Sequence, residues 1–216
     1  MKTAIRWLIG FALPLACVFL AIYEVRDFRR AAEPFEVLTG RRVQAAGGDV
    51  GEILGRRGLQ QLDLSGRGVN DEALFVLKPN LERLPWLDRL SLAGARISDS
   101  GLAALEHLHP LRSLDLQETP IGDDALVHLR ALGQLEALDL TRTQITDRGV
   151  AQLEGLTNLH VLWLSGTSIT DAAIDELRRH EQLEIVSLAD TNVTEAGVQR
   201  LEKALPYCTV IRRAPN

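Results

Sequence analysis

Cysteine is almost absent from this chain of 216 residues: Cys17 and Cys208 are the only two. They allow no disulfide framework, and no CxxC or Cys/His spacing suited to zinc occurs. Aromatic residues make up only 5%, which suits a repetitive aliphatic core better than a varied one. Also missing are GxSxG, HExxH, the P-loop and a GxGxxG set between strand and helix. No enzyme and no cofactor is therefore expected. Excess positive charge is lacking too. The formal net charge is −5, and residues 1–30 hold five Lys/Arg against two Asp/Glu, leaving 19 against 27, a net of −8, for residues 31–216. Nucleic-acid binding normally needs a basic face, so a protein partner carrying a basic group is the better expectation.

One long uncharged run is present. Residues 7–23, from Trp7 to Tyr23, form seventeen mostly apolar positions preceded by Lys2 and Arg6. As a helix this run covers about 25 Å, just enough to cross a bilayer core. Trp7 and Tyr23 stand where interfacial aromatics belong, and Pro14 is tolerable as a kink. Two rivals are weaker. A cleaved signal peptide would place Pro14 or Phe19 at the −3 position, where a small residue is wanted. The stretch Leu13-Pro14-Leu15-Ala16-Cys17 resembles a lipobox, but the apolar run continues past Cys17. The expectation is a single-pass, uncleaved anchor within residues 1–30. The short N-terminal tail and long C-terminal domain favour an extracytoplasmic domain, although Arg26, Arg29 and Arg30 nearly balance the flanking charge.

The rest of the chain repeats itself. Leu87, Leu111, Leu135, Leu159 and Leu183 recur every 24 residues, each opening LxxLxLxxxxΦ, as in Leu111, Leu114, Leu116, Ile121. An earlier copy starts at Leu59, 28 residues before Leu87, with the four extra residues around Lys78-Pro79-Asn80. Cys208 and Ile211 are assigned as the start of a seventh, partial copy. The first half of each copy alternates apolar and polar residues and reads as a short strand with one buried face. The second half changes period: Val150, Leu153 and Leu156 suit a helix. Ser98-Asp99, Thr146-Asp147, Thr170-Asp171 and Thr194-Glu195 stand at its start, where the hydroxyl caps the helix and the acid complements its dipole. Gly101, Gly149 and Gly197 mark close approach of that helix to a neighbour. Stacked copies make an α/β right-handed solenoid with parallel strands on one side and helices on the other. Residues 59–216 are assigned to six full repeats and a partial one. Residues 31–58, with a short helix at Glu33–Leu38 and a Gly47-Gly48 hairpin turn, are assigned to an N-terminal cap.

The segments Ile145-Thr-Asp-Arg-Gly-Val150-Ala-Gln-Leu153 and Ile169-Thr-Asp-Ala-Ala-Ile174-Asp-Glu-Leu177 resemble leucine-rich repeats of the ITDxGLxxLxxL kind. Such repeats are common in bacterial, especially planctomycete, proteins and are similar to those of F-box adaptors. The resemblance implies a horseshoe-shaped leucine-rich-repeat binding scaffold without chemistry of its own. No F-box-like module precedes the repeats, so no ubiquitin-ligase role is implied, and cysteine-rich caps are absent.

The register names the outward residues of the concave sheet. One row is Asp63, Ser91, Asp115, Asp139, Trp163 and Ser187; the row two places earlier is Gln61, Arg89, Ser113, Ala137, Val161 and Ile185. Asp115 and Asp139 fall on neighbouring strands, roughly 5 Å apart, where like charges repel by roughly 0.8 kcal/mol even in water. A basic group would be welcome there, although a solvated acidic column offset by Arg89 and Arg112 is the plainer reading. Trp163 with Val161, Ile185 and Ala137 forms an apolar patch beside the acids, and Trp is enriched among interface hot spots. A C-terminal tail from Tyr207 to Arg213 folded over that patch is the bland alternative. His107, His109 and His128 sit in adjacent helical halves and could approach one another, but solvated helix positions explain them and no metal is expected. The function expected is membrane-tethered protein binding on the concave face. The alternative is a structural envelope spacer, which would need only polar residues there.

Overall fold

In the structure, a computed structural model, residues 60–212 are described. Seven three-residue strands pair in chain order, all parallel: β1 (Gln61–Asp63), β2 (Arg89–Ser91), β3 (Ser113–Asp115), β4 (Ala137–Asp139), β5 (Val161–Trp163), β6 (Ile185–Ser187) and β7 (Thr209–Ile211). Their brevity follows from the repeat, in which only the alternating x-Leu-x segment has period two. The central residues Leu62, Leu90, Leu114, Leu138, Leu162 and Val186 pair strand to strand and are buried. Behind them the third and fourth apolar positions of the repeat, among them Leu116, Leu140, Leu164 and Ile145, pack into one continuous core.

The opposite side carries helices, shorter and tighter than the sequence suggests. Among the described residues, only α1 (Asp71–Leu81) and α4 (Glu195–Ala204) reach ten residues. Between them lie the 3₁₀ segments Ser100–Leu105, Asp123–Leu129, Ala151–Gly155 and Asp171–Ala173, with the single turns α2 (Asp147–Val150) and α3 (Ile174–Leu177). A repeat of 24 residues leaves little chain after its strand and turns. The 28-residue first copy spends its four extra residues, about one helical turn, on α1, which contains Lys78, Pro79 and Asn80.

The turn that leaves each strand has its own repeated geometry. Gly66, Gly94 and Gly166 have positive φ, and Glu118, Arg142 and Asp190 adopt it at equivalent places. Non-glycine residues are disfavoured there by crowding at Cβ. The buried Thr119, Thr143 and Thr167 hydroxyls donate to the carbonyls of Leu116, Leu140 and Leu164, each at 2.6 Å, so their burial leaves no polar group unsatisfied.

The last copy corrects one assignment. Cys208 is buried at the position of Leu183, but Val210, not Ile211, pairs with Val186. The segment from Cys208 to its strand is one residue shorter than LxxL, so Ile211 moves to the outer row beside Ser187. The expected membrane helix at residues 7–23 and the cap at residues 31–58 lie outside the described residues. Among the described residues, no helix is long and apolar enough to cross a membrane.

Candidate protein-binding face

The strand register brings the expected sheet-face residues together. Asp115 pairs with Asp139, Asp139 with Trp163, and Trp163 with Ser187; in the earlier row Ala137 pairs with Val161 and Val161 with Ile185. Ala137, Val161, Trp163, Asp115 and Asp139 are half-buried. Ile185, by contrast, is only 8% exposed, and Ser91 and Ser187 are buried as well. Ile185 is flanked on its rung by Val161 and Thr209 and offers little surface of its own. Ile211, taken from the sequence as a core residue, joins the Trp163 row at its far end. Sequence reasoning missed it because the one-residue shortening after Cys208 leaves no visible gap in the Leu pattern.

The tail does not fold over Trp163 within the described residues. It continues the sheet as β7, and Tyr207 is 95% exposed.

The acidic residues have local work as well. Asp63, Asp115 and Asp139 each accept the backbone N–H two residues on, from Ser65 at 2.8 Å, Gln117 at 3.0 Å and Thr141 at 2.8 Å. These are Asx turns, which fix the exit from each strand. Asp115 also accepts from the Ser91 hydroxyl at 3.1 Å and the Gln117 amide at 3.3 Å. Arg112, expected to offset the acidic column, pairs with Glu136 of the next copy. The Asp88 carboxyl is raised above its ordinary value, chiefly by burial and against the pull of Arg89 and Arg112; its Oδ1 has no hydrogen-bond partner.

The repeat's acid at the helix start does more than complement a dipole. Asp71 accepts the backbone N–H and hydroxyl of Ser98, at 2.8 and 2.6 Å. Asp123 holds Thr146 at 2.8 and 2.6 Å, Asp147 holds Thr170 at 2.7 and 2.7 Å, and Asp171 holds Thr194 at 2.7 and 2.7 Å. Asp99 accepts the N–H of Gly122 at 2.6 Å. Each carboxylate thus staples the start of the following copy's helical half. The two bonds from Thr194 keep the Asp171 carboxyl below its ordinary value. A Cβ on Gly149 would lie 2.3 Å from Asp123 Oδ1, which explains the small residue there. The signal was available in the sequence as Asp followed 23 residues on by Thr in three copies, by Gly122 at the same interval in one, and by Ser98 after 27 residues in the longer first copy.

The histidines do not converge. His107 and His109 have ring centroids 6.2 Å apart, while His128 meets the Glu106 carboxylate and lowers its pKa. Among the described residues, no group of three His, Cys, Asp or Glu is placed to hold a metal. His180 occupies the buried place held by Leu156 one copy earlier; burial lowers its pKa, opposed by a hydrogen bond to the Leu156 backbone.

Residues 83–105, 107–129 and 135–153 match the family model described as Leucine Rich repeat. No curated protein matches the sequence. Among solved structures, the chain is similar to two Listeria monocytogenes internalins. One, inlC2, is 22% identical with a TM-score of 0.57, covering 82% of each chain. The other, inlF, is 19% identical with a TM-score of 0.53, covering 78% of this chain and 52% of that one. A leucine-rich-repeat protein of Leptospira interrogans is 21% identical with a TM-score of 0.52, covering 74% of this chain and 38% of that one. This chain therefore spans about half of inlF and less of the Leptospira protein. At these identities the likeness concerns the fold. With the seven-stranded parallel ladder, it gives the described residues the fold of a leucine-rich-repeat solenoid, and the family match places leucine-rich repeats within residues 83–153.

Proposed function

We propose that the solenoid is a protein-binding module whose partner docks on the concave sheet around Trp163 and sets a basic group beside Asp115 and Asp139. Residues 7–23 hold the module at a membrane, with the repeats on the extracytoplasmic side. One observation carries the reading: Ala137, Val161 and Trp163 share consecutive rungs, next to the paired Asp115 and Asp139, on the outer face of a sheet. The continuous Leu core behind the sheet is complete without them. An envelope spacer without a ligand would gain nothing from a half-exposed Trp, and leucine-rich repeats are commonly protein-interaction modules.

The test uses the full chain in mild detergent as bait, compared with Trp163→Ala and with Asp115→Asn/Asp139→Asn. A protein captured by the wild type and lost with Trp163→Ala, the melting temperature being unchanged, supports the reading. Identical capture by all three chains overturns it in favour of the spacer. If Trp163→Ala unfolds the repeats, Trp163 belongs to the core and the docking site is wrong.

A further inference from the structure

The Asp staples also align the helix side copy by copy, and this alignment exposes a second apolar surface. Four residues after Asp71, Asp99, Asp123 and Asp147 come Phe75, Ala103, Val127 and Ala151. Phe75 is 46% and Val127 45% exposed, and the two alanines between and beyond them are half-buried. The stripe ends abruptly, because the next copy has Asp175 at that place. The core contains none of its large side chains, so folding does not explain them.

Two lanes of charge border the stripe. The Asp99 copy places Ser100 one residue and Glu106 seven residues after its staple Asp, Glu106 being paired with His128; the other three copies place Glu72, Asp124 and Arg148 at the first position and Lys78, Arg130 and Glu154 at the second. Positions three apart lie side by side along a 3₁₀ helix and are neighbours on an α-helix, so the lanes flank the stripe evenly. Within each of these three copies the two lanes carry opposite signs, and the sign order reverses at Arg148 and Glu154. Over the four copies the lanes hold three positive and four negative groups, a near balance that disfavours a strongly acidic or basic partner and an anionic lipid surface.

We propose that this face docks a second copy of the chain, about a twofold axis running along the stripe. That operation lays the stripe on itself, Phe75 on Phe75 and Val127 on Val127, and exchanges the lanes. Glu72 then faces Lys78 of the other copy, Asp124 faces Arg130, and Arg148 faces Glu154. With the axis across the stripe, centring on Ala103 sets Glu72 against Asp124 and Lys78 against Arg130, which like charges reject; centring between Ala103 and Val127 lays Phe75 on Ala151 and Val127 on Ala103, so the two large apolar side chains no longer meet each other. The two copies run parallel, with both first repeats at the same end. Within one chain Arg148 reaches Asp124 and Arg130 reaches Gln152; all four carry surface exposure, so these contacts are re-shared at small cost.

The experiment uses the full chain in mild detergent, with Cys17→Ser to remove the N-terminal thiol. Sedimentation should show a dimer. Val127→Cys should cross-link to itself on mild oxidation, and Gln199→Cys, two copies beyond the stripe's end, should not. Val127→Asp should weaken the dimer tenfold or more with no loss of melting temperature, since Val127 is exposed. Asp124→Arg alone should weaken it, and adding Arg130→Asp should restore it. A wild-type monomer at every soluble concentration overturns the proposal. So does a dimer untouched by Val127→Asp, cross-linking at 199 that equals that at 127, or a double charge reversal that fails to rescue.

Discussion

Replacing Asp147 by Ala removes both acceptors of one inter-repeat staple, the 2.7 Å bonds from the Thr170 backbone N–H and from its hydroxyl. Hydrogen bonds to a charged group contribute about 1.5–3 kcal/mol each. Asp147 is only half-buried, so water replaces part of the loss and the lower end applies. The expected destabilisation is about 2–3 kcal/mol. At about 2–4 °C per kcal/mol for a domain of this size, the melting temperature should fall by roughly 4–12 °C. Thr170→Val deletes only the hydroxyl, which also caps the Ala172 N–H at 3.2 Å, and should cost about 1 kcal/mol. The double variant should be less destabilised than the sum, because the hydroxyl and the carboxylate share one bond. The assay is calorimetry or circular dichroism on the four chains of the cycle. Asp147→Ala melting within a degree of wild type, or strict additivity of the pair, would refute the staple as a stabilising contact.

Three further outcomes follow from the same geometry. Leu140 is fully buried, so Leu140→Asp should cost at least about 4 kcal/mol; a thermal shift of only a degree or two would mean the register is wrong. His180 has its pKa lowered from an ordinary 6.5 by burial, so the unfolded chain binds the proton more readily. Its contribution is complete above about pH 6.5 and lost as pH falls toward the folded value. His180→Leu, which restores the apolar residue found at Leu156, should therefore melt higher and flatten the acid side of the stability profile. An unchanged profile sinks that assignment. Protease added to cells with a permeabilised outer envelope should digest the repeats, and N-terminal sequencing of the purified chain should still find residues 1–23; a protected domain or a new N-terminus at Cys17 reverses the topology proposal.

The seven strands were legible because Leu recurs every 24 residues, and a period-two segment can bury only one of its faces. Paired rungs such as Asp115–Asp139 and Ala137–Val161 followed directly from that count. The rest failed where it depended on contacts between copies. The Asp147–Thr170 staple joins residues 23 apart in sequence, and a helix-capping rule looks only a turn ahead. The left-handed turn was hidden because Glu118, Arg142 and Asp190 stand where Gly66, Gly94 and Gly166 reveal it. Ile211 was misplaced by a single missing residue, and the burial of Ile185 depends on both rung neighbours rather than on alternation alone. Phe75 and Val127 were overlooked because helical period was sought one copy at a time, whereas the stripe runs across copies.

Two tryptophans within the repeats separate the docking face from general surface stickiness. Trp163 lies half-buried on β5, while Trp86 stands 64% exposed in the turn between α1 and β2. Once a partner has been captured, its Kd for wild type, Trp163→Ala and Trp86→Ala should be measured by calorimetry at matched salt. A central aromatic anchor contributes about 2 kcal/mol or more, so Trp163→Ala should weaken binding by roughly tenfold or more at about 1.4 kcal/mol per decade. Trp86→Ala should bind like wild type. Loss of binding with Trp86→Ala and none with Trp163→Ala would contradict the account and move the docking site off the sheet.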